Sequence, residues 1–309
     1  MSKKKLVITG GAGFIGSAFI SKFNSEYEIF VIDNLSFGNK KFISDVIDNQ
    51  HFFKEDVRNS NAIKSIFKTV KPHIVLHLAA VHFIPYCNEH PYESADINIS
   101  GTINVLNACE DVGVEKIIFA STAAVYPISN VAVSENHPTG PLDIYGLSKL
   151  SGEHLCNEFY LKTNTPTIIC RFFNAFGPNE TNPHLIPEIQ LQINEGKRTI
   201  QLGNLEPKRD FIHTYDMAKA LRLLIDIPIK GVEIYNLGRG IEYSVKEIVE
   251  AFERQLGEKI TIEQNPDRMR KSDRMHLLAD VSKLKKLGWN PTWSIDDGVK
   301  TLIDFSNVY

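Results

Sequence analysis

The sequence predicts an α/β protein, a doubly wound parallel sheet followed by a smaller α/β unit. Two observations predict it. Apolar runs of strand length alternate with segments of helical periodicity through the first 173 residues, the pattern of βαβ units, which build parallel sheets. The small and polar residues able to bind something fall at the C-terminal ends of those runs, the edge where open α/β sheets place their ligands.

The first βαβ unit is the most informative. Residues 6–8 (Leu-Val-Ile) read as a buried strand, and Gly10, Gly11, Gly13 and Gly16 make a tight turn that opens a helix through Ala18, Phe19 and Phe23. Such a turn brings backbone N–H groups and a helix N-terminus against a diphosphate, and a Cβ there would block the approach. A second strand, 28–32, ends in Asp33-Asn34. Asp33 lies about 20 residues past the turn, the spacing of a carboxylate that bonds a ribose diol and repels a 2′-phosphate. NAD rather than NADP is the expected ligand, in a fold of the Rossmann type.

The chain then continues in order. A polar loop, 34–41, is placed to fold over an adenosine, and 51–53 is a short strand closed by Asp56 and Val57. Asp56 can accept from an adenine amino group, cap the helix at 59–70, or do both. Residues 74–80 read as a buried strand whose small end, Leu78-Ala79-Ala80, suits a backbone lying flat against a ring or phosphate. Helical periodicity over 92–111 precedes a strand at 116–120 that leads to Ser121-Thr122. The irregular stretch 122–143, with three prolines, is too long for a plain connector. Tyr145 and Lys149 share one face of the next helix, where an ammonium beside a phenol favours phenolate and makes an acid–base group. Alone, that spacing also fits a half-buried tyrosine beside a solvated lysine.

A strand at 166–173 and a turn at 174–178 close the regular part. Beyond it come a helix at about 184–195, strands near 198–202 and 208–213, a helix at 216–225 and a strand at 234–237. Ser244 and Glu247 form a capping box on a helix reaching Leu256. A loop with Arg268, Arg270 and Arg274 follows, then a helix-turn-helix with Leu284, Leu287, Trp289 and Trp293 as core. The expected division is 1–173 plus about 210–238 for the dinucleotide unit, and about 174–209 with 239–309 for the second unit, the two sharing a cleft.

Composition supports an ordinary globular enzyme, 309 residues long with 43% hydrophobic and 23% charged residues. The net charge of −3 gives no sign of nucleic-acid or membrane partners, and no run approaches the ~18 apolar residues of a membrane span. Lys3-Lys4-Lys5 reads as a solvated lead-in to the first strand. The four cysteines, Cys87, Cys109, Cys156 and Cys170, are far apart without a C-x-x-C, as in a reducing cytoplasm. His73, His77, His82 and His90 do not combine with a cysteine or carboxylate pattern, so no metal is expected.

Taken together, Thr9 to Gly16, His77-Leu-Ala-Ala80, Ser121-Thr-Ala-Ala-Val-Tyr126, Tyr145-Gly-Leu-Ser-Lys149 and Arg171-Phe-Phe-Asn-Ala-Phe-Gly-Pro178 resemble the extended short-chain dehydrogenase/reductases, specifically their NAD-dependent nucleotide-sugar epimerase/dehydratases. Lys208-Arg-Asp-Phe-Ile-His213, Tyr235-Asn-Leu-Gly238, Arg270-Lys-Ser-Asp273 and Leu287-Gly-Trp289 continue the resemblance along the chain. It implies that Tyr145 is the acid–base, that Lys149 lowers its pKa and holds the nicotinamide ribose, and that Thr122 bonds the reacting oxygen. It implies an NAD site of Gly10, Gly13, Phe14, Ile15, Gly16, Asp33, Asn34, Asp56, Val57, Leu78, Ala79 and Ala80. Asn98 would help position the active-site helix, and Phe173 would lie near the nicotinamide. Asn174, Arg209 and Arg270, with Asp273 nearby, would hold the diphosphate of a nucleotide sugar, a UDP-sugar first among them.

Within the family, 4,6-dehydratases usually carry Asp-Glu after the active-site threonine; here Ala123-Ala124 follow Thr122. The resemblance is therefore to the UDP-galactose 4-epimerases, which oxidise C4′ and reduce it again. A 4-ketosugar reductase or a 4,6-dehydratase is the alternative, and a non-catalytic NAD-binding protein a third reading. His82 stands where that subgroup often has lysine, Pro127 replaces a glycine, and 202–207 lacks a longer insertion. Family members usually form homodimers through the helix near 97–110 and the helix that starts at Tyr145.

Overall fold

β1 (Lys5–Thr9) lies inside the main sheet, with Leu6 to Thr9 buried on both faces. The computed structural model describes residues 3–268 and 274–306. After β1 come α1 (Phe14–Phe23), β2 (Glu28–Ile32), β3 (Phe52–Phe53), α2 (Ser60–Val70), β4 (Ile74–His77), α3 (Ile84–Glu89), α4 (Pro91–Ala95) and α5 (Gly101–Val112). β5 (Lys116–Thr122), α6 (Ile144–Thr163), β6 (Thr167–Phe172), β7 (Asn174–Phe176), α7 (Leu185–Asn194), β8 (Thr199–Leu202), β9 (Lys208–His213) and α8 (Thr214–Asp226) follow. The chain ends with β10 (Val232–Leu237), β11 (Glu242–Ser244), α9 (Val245–Leu256), β12 (Thr261–Gln264), α10 (Ser282–Lys285) and α11 (Ile295–Ser306).

Seven strands form one sheet in the order β10-β6-β5-β4-β1-β2-β3, every neighbour parallel. Alternation along each strand serves two helix layers. Leu6, Ile8, Leu76 and Ile118 pack into the core containing Phe19 of α1 and Met217 and Leu221 of α8. Val7, Val75 and Phe119 pack into the core containing Phe67, Val105 and Phe159 of α2, α5 and α6. Strand order reverses between β1 and β4, and that switch point opens a crevice at their carboxyl ends.

A second, smaller unit holds the sheet β11-β9-β7 and the parallel pair β12-β8. Its core joins Phe176, Ile189, Ile200, Phe211, Phe252 and Val299. The stretch 174–178 is expected as a turn, yet Asn174 to Phe176 pair with Phe211 to His213 of β9, so the chain enters the second unit as a strand. Leu284 and Trp289, expected in that second unit, pack into the first core instead. Asp216, fully buried, draws this return inward: its carboxylate accepts from Thr292 N and Trp293 N, both at 2.8 Å, and its carbonyl from Trp289 Nε1 at 3.2 Å.

Two local features differ from the periodicity. The helix expected over 92–111 contains a π turn at 96–100 between α4 and α5, a distortion that often accompanies functional sites. It turns Asn98 into the interior, where the side chain is 1% exposed. The cap of α2 is Asn59, which accepts from Ala62 N at 3.3 Å; Asp56 does not cap it and is held by Arg58 and Asn34. The capping box of α9 is present as expected, with Ser244 and Glu247 bonded reciprocally. No helix among the described residues is long and apolar enough to cross a membrane. The four cysteines are free and buried.

Candidate active site

The crevice at the switch point opens into a cavity of about 1160 Å³ between the two units. Its floor is the glycine turn. Gly10 has φ +72, and a Cβ there would sit 2.8 Å from Ala79 N, so the turn lies flat on the chain leaving β4. At Gly16 a Cβ would come within 2.6 Å of Gly10 O. Gly13 begins α1 without any side-chain cap. The first-turn N–H groups of Phe14, Ile15 and Gly16 thus have no intrahelical acceptor, and all three residues line the cavity.

Asp33 stands at the end of β2, 7% exposed, accepting from Ala12 N at 2.9 Å and Leu35 N at 2.8 Å. Burial pushes its carboxyl up, and the two backbone N–H groups oppose that shift. Each oxygen keeps a second lone pair for a diol. Next to it, Asn34 donates to Asp56 at 2.9 Å, and Arg58 beside Asp56 pulls that carboxyl down to about 2. Val57, Leu78, Ala79 and Ala80 complete this end of the cavity.

The reactive end is built by β5, α6 and the chain after β6. Thr122 closes β5 and accepts from Ala124 N at 3.1 Å, while Ala123 and Ala124 form a buried 3₁₀ turn. Asp143 caps α6 by accepting from Gly146 N at 2.7 Å, which sets Tyr145 in the first turn. Ser148 Oγ donates to Tyr145 O at 2.8 Å, and Asn98 Nδ2 donates to Ser148 Oγ at 2.9 Å while its Oδ1 holds Val81 N at 2.8 Å. Asn98 therefore ties the start of α6 to the chain beyond β4 from behind the cavity.

Burial raises the Tyr145 phenol well above its ordinary range, with a hydrogen bond to Thr122 acting against this. Lys149, 2% exposed, holds its ammonium over the Phe119 ring, 4.3 Å from the centroid, and burial lowers it to about 8. In the free protein the main influences on Tyr145 are burial and the Thr122 hydroxyl. Burial outweighs the other influences and keeps the free protein's Tyr145 as the neutral phenol.

Phe173 and Asn174 line the cavity where the chain passes from β6 to β7, and Arg209 of β9 faces them across it. Arg209 donates to the carbonyls of Lys208 at 2.9 Å and Arg274 at 2.5 Å, and Arg274 donates to Tyr126 O at 2.8 Å. Arg274 also lines the cavity. Sequence reading noted it only as part of an arginine-rich loop, since spacing cannot tell which arginine of a loop turns inward. Arg268 pairs with Glu188 at 2.6 Å. Arg270 and Asp273 lie outside the described residues. Every other residue expected for cofactor, chemistry or sugar nucleotide lines this cavity, Asn98 excepted.

His73, His77 and His90, weighed together with His82 for a metal, lie apart from it. His73 accepts from Lys5 N at 3.0 Å, His77 sits between the hydroxyls of Thr9 and Thr102, and His90 packs on Tyr86. His82 instead meets Glu180 and His184 at the cavity wall. Burial raises the Glu180 carboxyl to about 7.

The sequence model for the GDP-mannose 4,6 dehydratase family matches residues 7–302. A UDP-glucose 4-epimerase of Bacillus subtilis is 31% identical over 321 residues, covering 94% of this chain and 94% of its own. The chain belongs to the NAD-dependent nucleotide-sugar epimerase/dehydratase family. Solved members of the family superpose over nearly the whole molecule. A Thermus thermophilus UDP-glucose 4-epimerase in complex with NAD has a TM-score of 0.89 at 27% identity, covering 98% of this chain and 99% of its own. A Thermotoga maritima UDP-glucose 4-epimerase with UDP-glucose has a TM-score of 0.90 at 26% identity, covering 98% and 99%.

Proposed function

We propose that this chain is an NAD-dependent UDP-hexose 4-epimerase. One observation carries the reading: Tyr145 and Thr122 face the cavity as a bonded pair, while Ala123 and Ala124 occupy the positions where water elimination needs an acid and a base. Sugar oxidation is thereby separated from dehydration. The residues present fit NAD, with the glycine turn and the start of α1 at its diphosphate, Asp33 at the adenosine ribose and Lys149 at the nicotinamide ribose. When bound, the oxidised nicotinamide would supply the acceptor for a hydride from C4′.

Tyr145, as phenolate, takes the proton from O4′ of the hexose while the Thr122 hydroxyl holds the same oxygen. With the oxidised nicotinamide bound, C4′ would pass its hydride to it, and the 4-keto sugar would turn within the cavity. Asn174 and Arg209 keep the diphosphate in place, so the sugar rotates without leaving. The hydride would return from the reduced nicotinamide to the other face of C4′, with Tyr145 giving its proton back to O4′. A cation favours phenolate, so Lys149 must stay charged. Because burial lowers Lys149 to about 8, its charge is full below that value and lost above it. Turnover is expected to fall as pH rises through about 8, read from log kcat against pH; a flat profile between pH 7 and 9 contradicts this role.

A panel of UDP-, GDP-, CDP- and dTDP-sugars, with products read by NMR, tests the reading as a whole. The expected result is a C4′ epimer of a UDP-hexose without added NADH. Product that forms only with NADH marks a 4-ketosugar reductase, and a 4-keto-6-deoxy product marks a dehydratase. Asp33→Ala is expected to weaken NAD roughly tenfold to a hundredfold, the loss of charge-assisted bonds to the diol, and to relax the exclusion of NADP. Calorimetric titration of both cofactors checks it; an unchanged NAD/NADP ratio removes Asp33 from the ribose site.

The same reading includes a homodimer in a reducing cytoplasm. Leu147 and Leu161 of α6 are 50% and 78% exposed, and Ile103 of α5 is 38% exposed. Together they supply an apolar face for a second copy, and light scattering of the native protein measures the mass directly.

A further inference from the structure

Residues 179–182 run as a strap against three separate segments of the large unit. Asn179 Nδ2 donates to Ser17 Oγ of α1 at 3.4 Å, Thr181 Oγ1 donates to Phe37 O in the loop after β2 at 2.9 Å, and Asn182 Nδ2 donates to His82 Nε2 at 3.1 Å. Glu180 sits on this strap, and His184 follows it as the cap residue of α7. His82 comes from the chain beyond β4. His82 stands about 100 positions before the other two in sequence, yet the three ligand atoms all lie within 4.8 Å of one another.

The state of the groups matches ligation. The Asn182 amide occupies the lone pair of His82 Nε2, so the ring is in its neutral form and a metal would take the place of Asn182 at that nitrogen. Glu180 accepts from Asn182 N at 3.0 Å and forms no ion pair with a lysine or arginine among the described residues. Its carboxylate is half-buried at the cavity wall, where a cation could reach it. All three side chains line the cavity.

We propose that His82, Glu180 and His184 form a site for one divalent transition metal of the zinc class, with an open coordination position facing the cavity. Two imidazoles and one carboxylate suit zinc, cobalt or nickel, whereas calcium and magnesium take oxygen sets. Bonds of about 2.0–2.2 Å hold tetrahedral ligand atoms about 3.5 Å apart, so the set closes by about 1 Å through side-chain rotation. The metal supplies the cation Glu180 lacks. Because His82 belongs to the large unit and the other two ligands to the strap and the start of α7, the metal also fastens the strap across the cavity.

Untagged full-length protein, treated with a chelator and dialysed, is titrated with Co²⁺ and followed by its visible absorption, with Zn²⁺ as competitor. The expected result is one Co²⁺ per chain with a tetrahedral spectrum displaced by Zn²⁺. Glu180→Gln and His184→Ala are each expected to weaken binding by about tenfold or more. Saturating Zn²⁺ should raise the melting temperature of the wild type and not of Glu180→Gln, a variant that keeps the side-chain shape. Absence of saturable Co²⁺ binding in the wild type, or equal affinity in both variants, overturns the proposal.

Discussion

Replacing Tyr145 with phenylalanine is expected to lower kcat by two to four orders of magnitude while NAD stays bound. In the proposed mechanism the phenol exchanges a proton with O4′, and loss of a placed acid–base group costs about 10²–10⁴ in rate. The ring itself fills the wall of the cavity beside Thr122, and phenylalanine preserves that shape. Cofactor content measured by absorbance should therefore match wild type, and the melting temperature should shift little. Steady-state kinetics on a UDP-hexose provides the decisive comparison. Turnover within threefold of wild type would falsify the assignment of Tyr145 as the acid–base.

Replacing Arg171 with methionine is expected to cost about 3–5 kcal/mol of stability. Arg171 of β6 forms a bidentate pair with Glu153 of α6, at 2.9 and 2.7 Å, with both side chains nearly sealed from water at 4% and 6% exposure. Ser121 donates to Glu153 at 2.5 Å, and Arg171 donates to Tyr126, which donates in turn to Asn236 at 2.7 Å. Every charge is compensated, so removing one partner strands the other in a medium that cannot solvate it. The melting temperature should drop on the order of 5–10 °C. Exchanging both Glu153 and Arg171 for methionine should recover much of the loss, since the isolated charge is then gone. A single Arg171→Met variant that melts within 1 °C of wild type contradicts the account. Glu153 lies one turn beyond Lys149, and Ser121 precedes Thr122, so the network also stiffens the base of the reactive end.

Much of the fold was legible because apolar periodicity reports burial directly. The strand–turn–helix at Gly10 to Gly16, the carboxylate at the end of the next strand, the Tyr145–Lys149 helix and the capping box at Ser244 each depend on neighbours within a few residues. Elsewhere the signal misled. Periodicity over 92–111 predicts an unbroken helix, but the π turn exists because Asn98 reaches Val81 and Ser148, partners distant in sequence. Asp56 fits a helix cap by local chemistry, yet Arg58 and Asn34 hold it and Asn59 takes the cap. Residues 174–176 look like a turn because three residues carry little periodicity; pairing with β9 makes them a strand. Trp289 returns to the first core because Asp216 supplies the acceptors that fix that segment.

The sequence by itself determined the alternating elements, the dinucleotide turn, the shared helix face of Tyr145 and Lys149, and the alanines that follow Thr122. All of these rest on local spacing and side-chain chemistry. Tertiary structure alone decided which charges act on one another. It set Lys149 over Phe119, turned Arg274 into the cavity, and gathered His82, Glu180 and His184 at one wall. Electrostatics and coordination depend on distance and burial in space, and those become defined only when remote segments pack together.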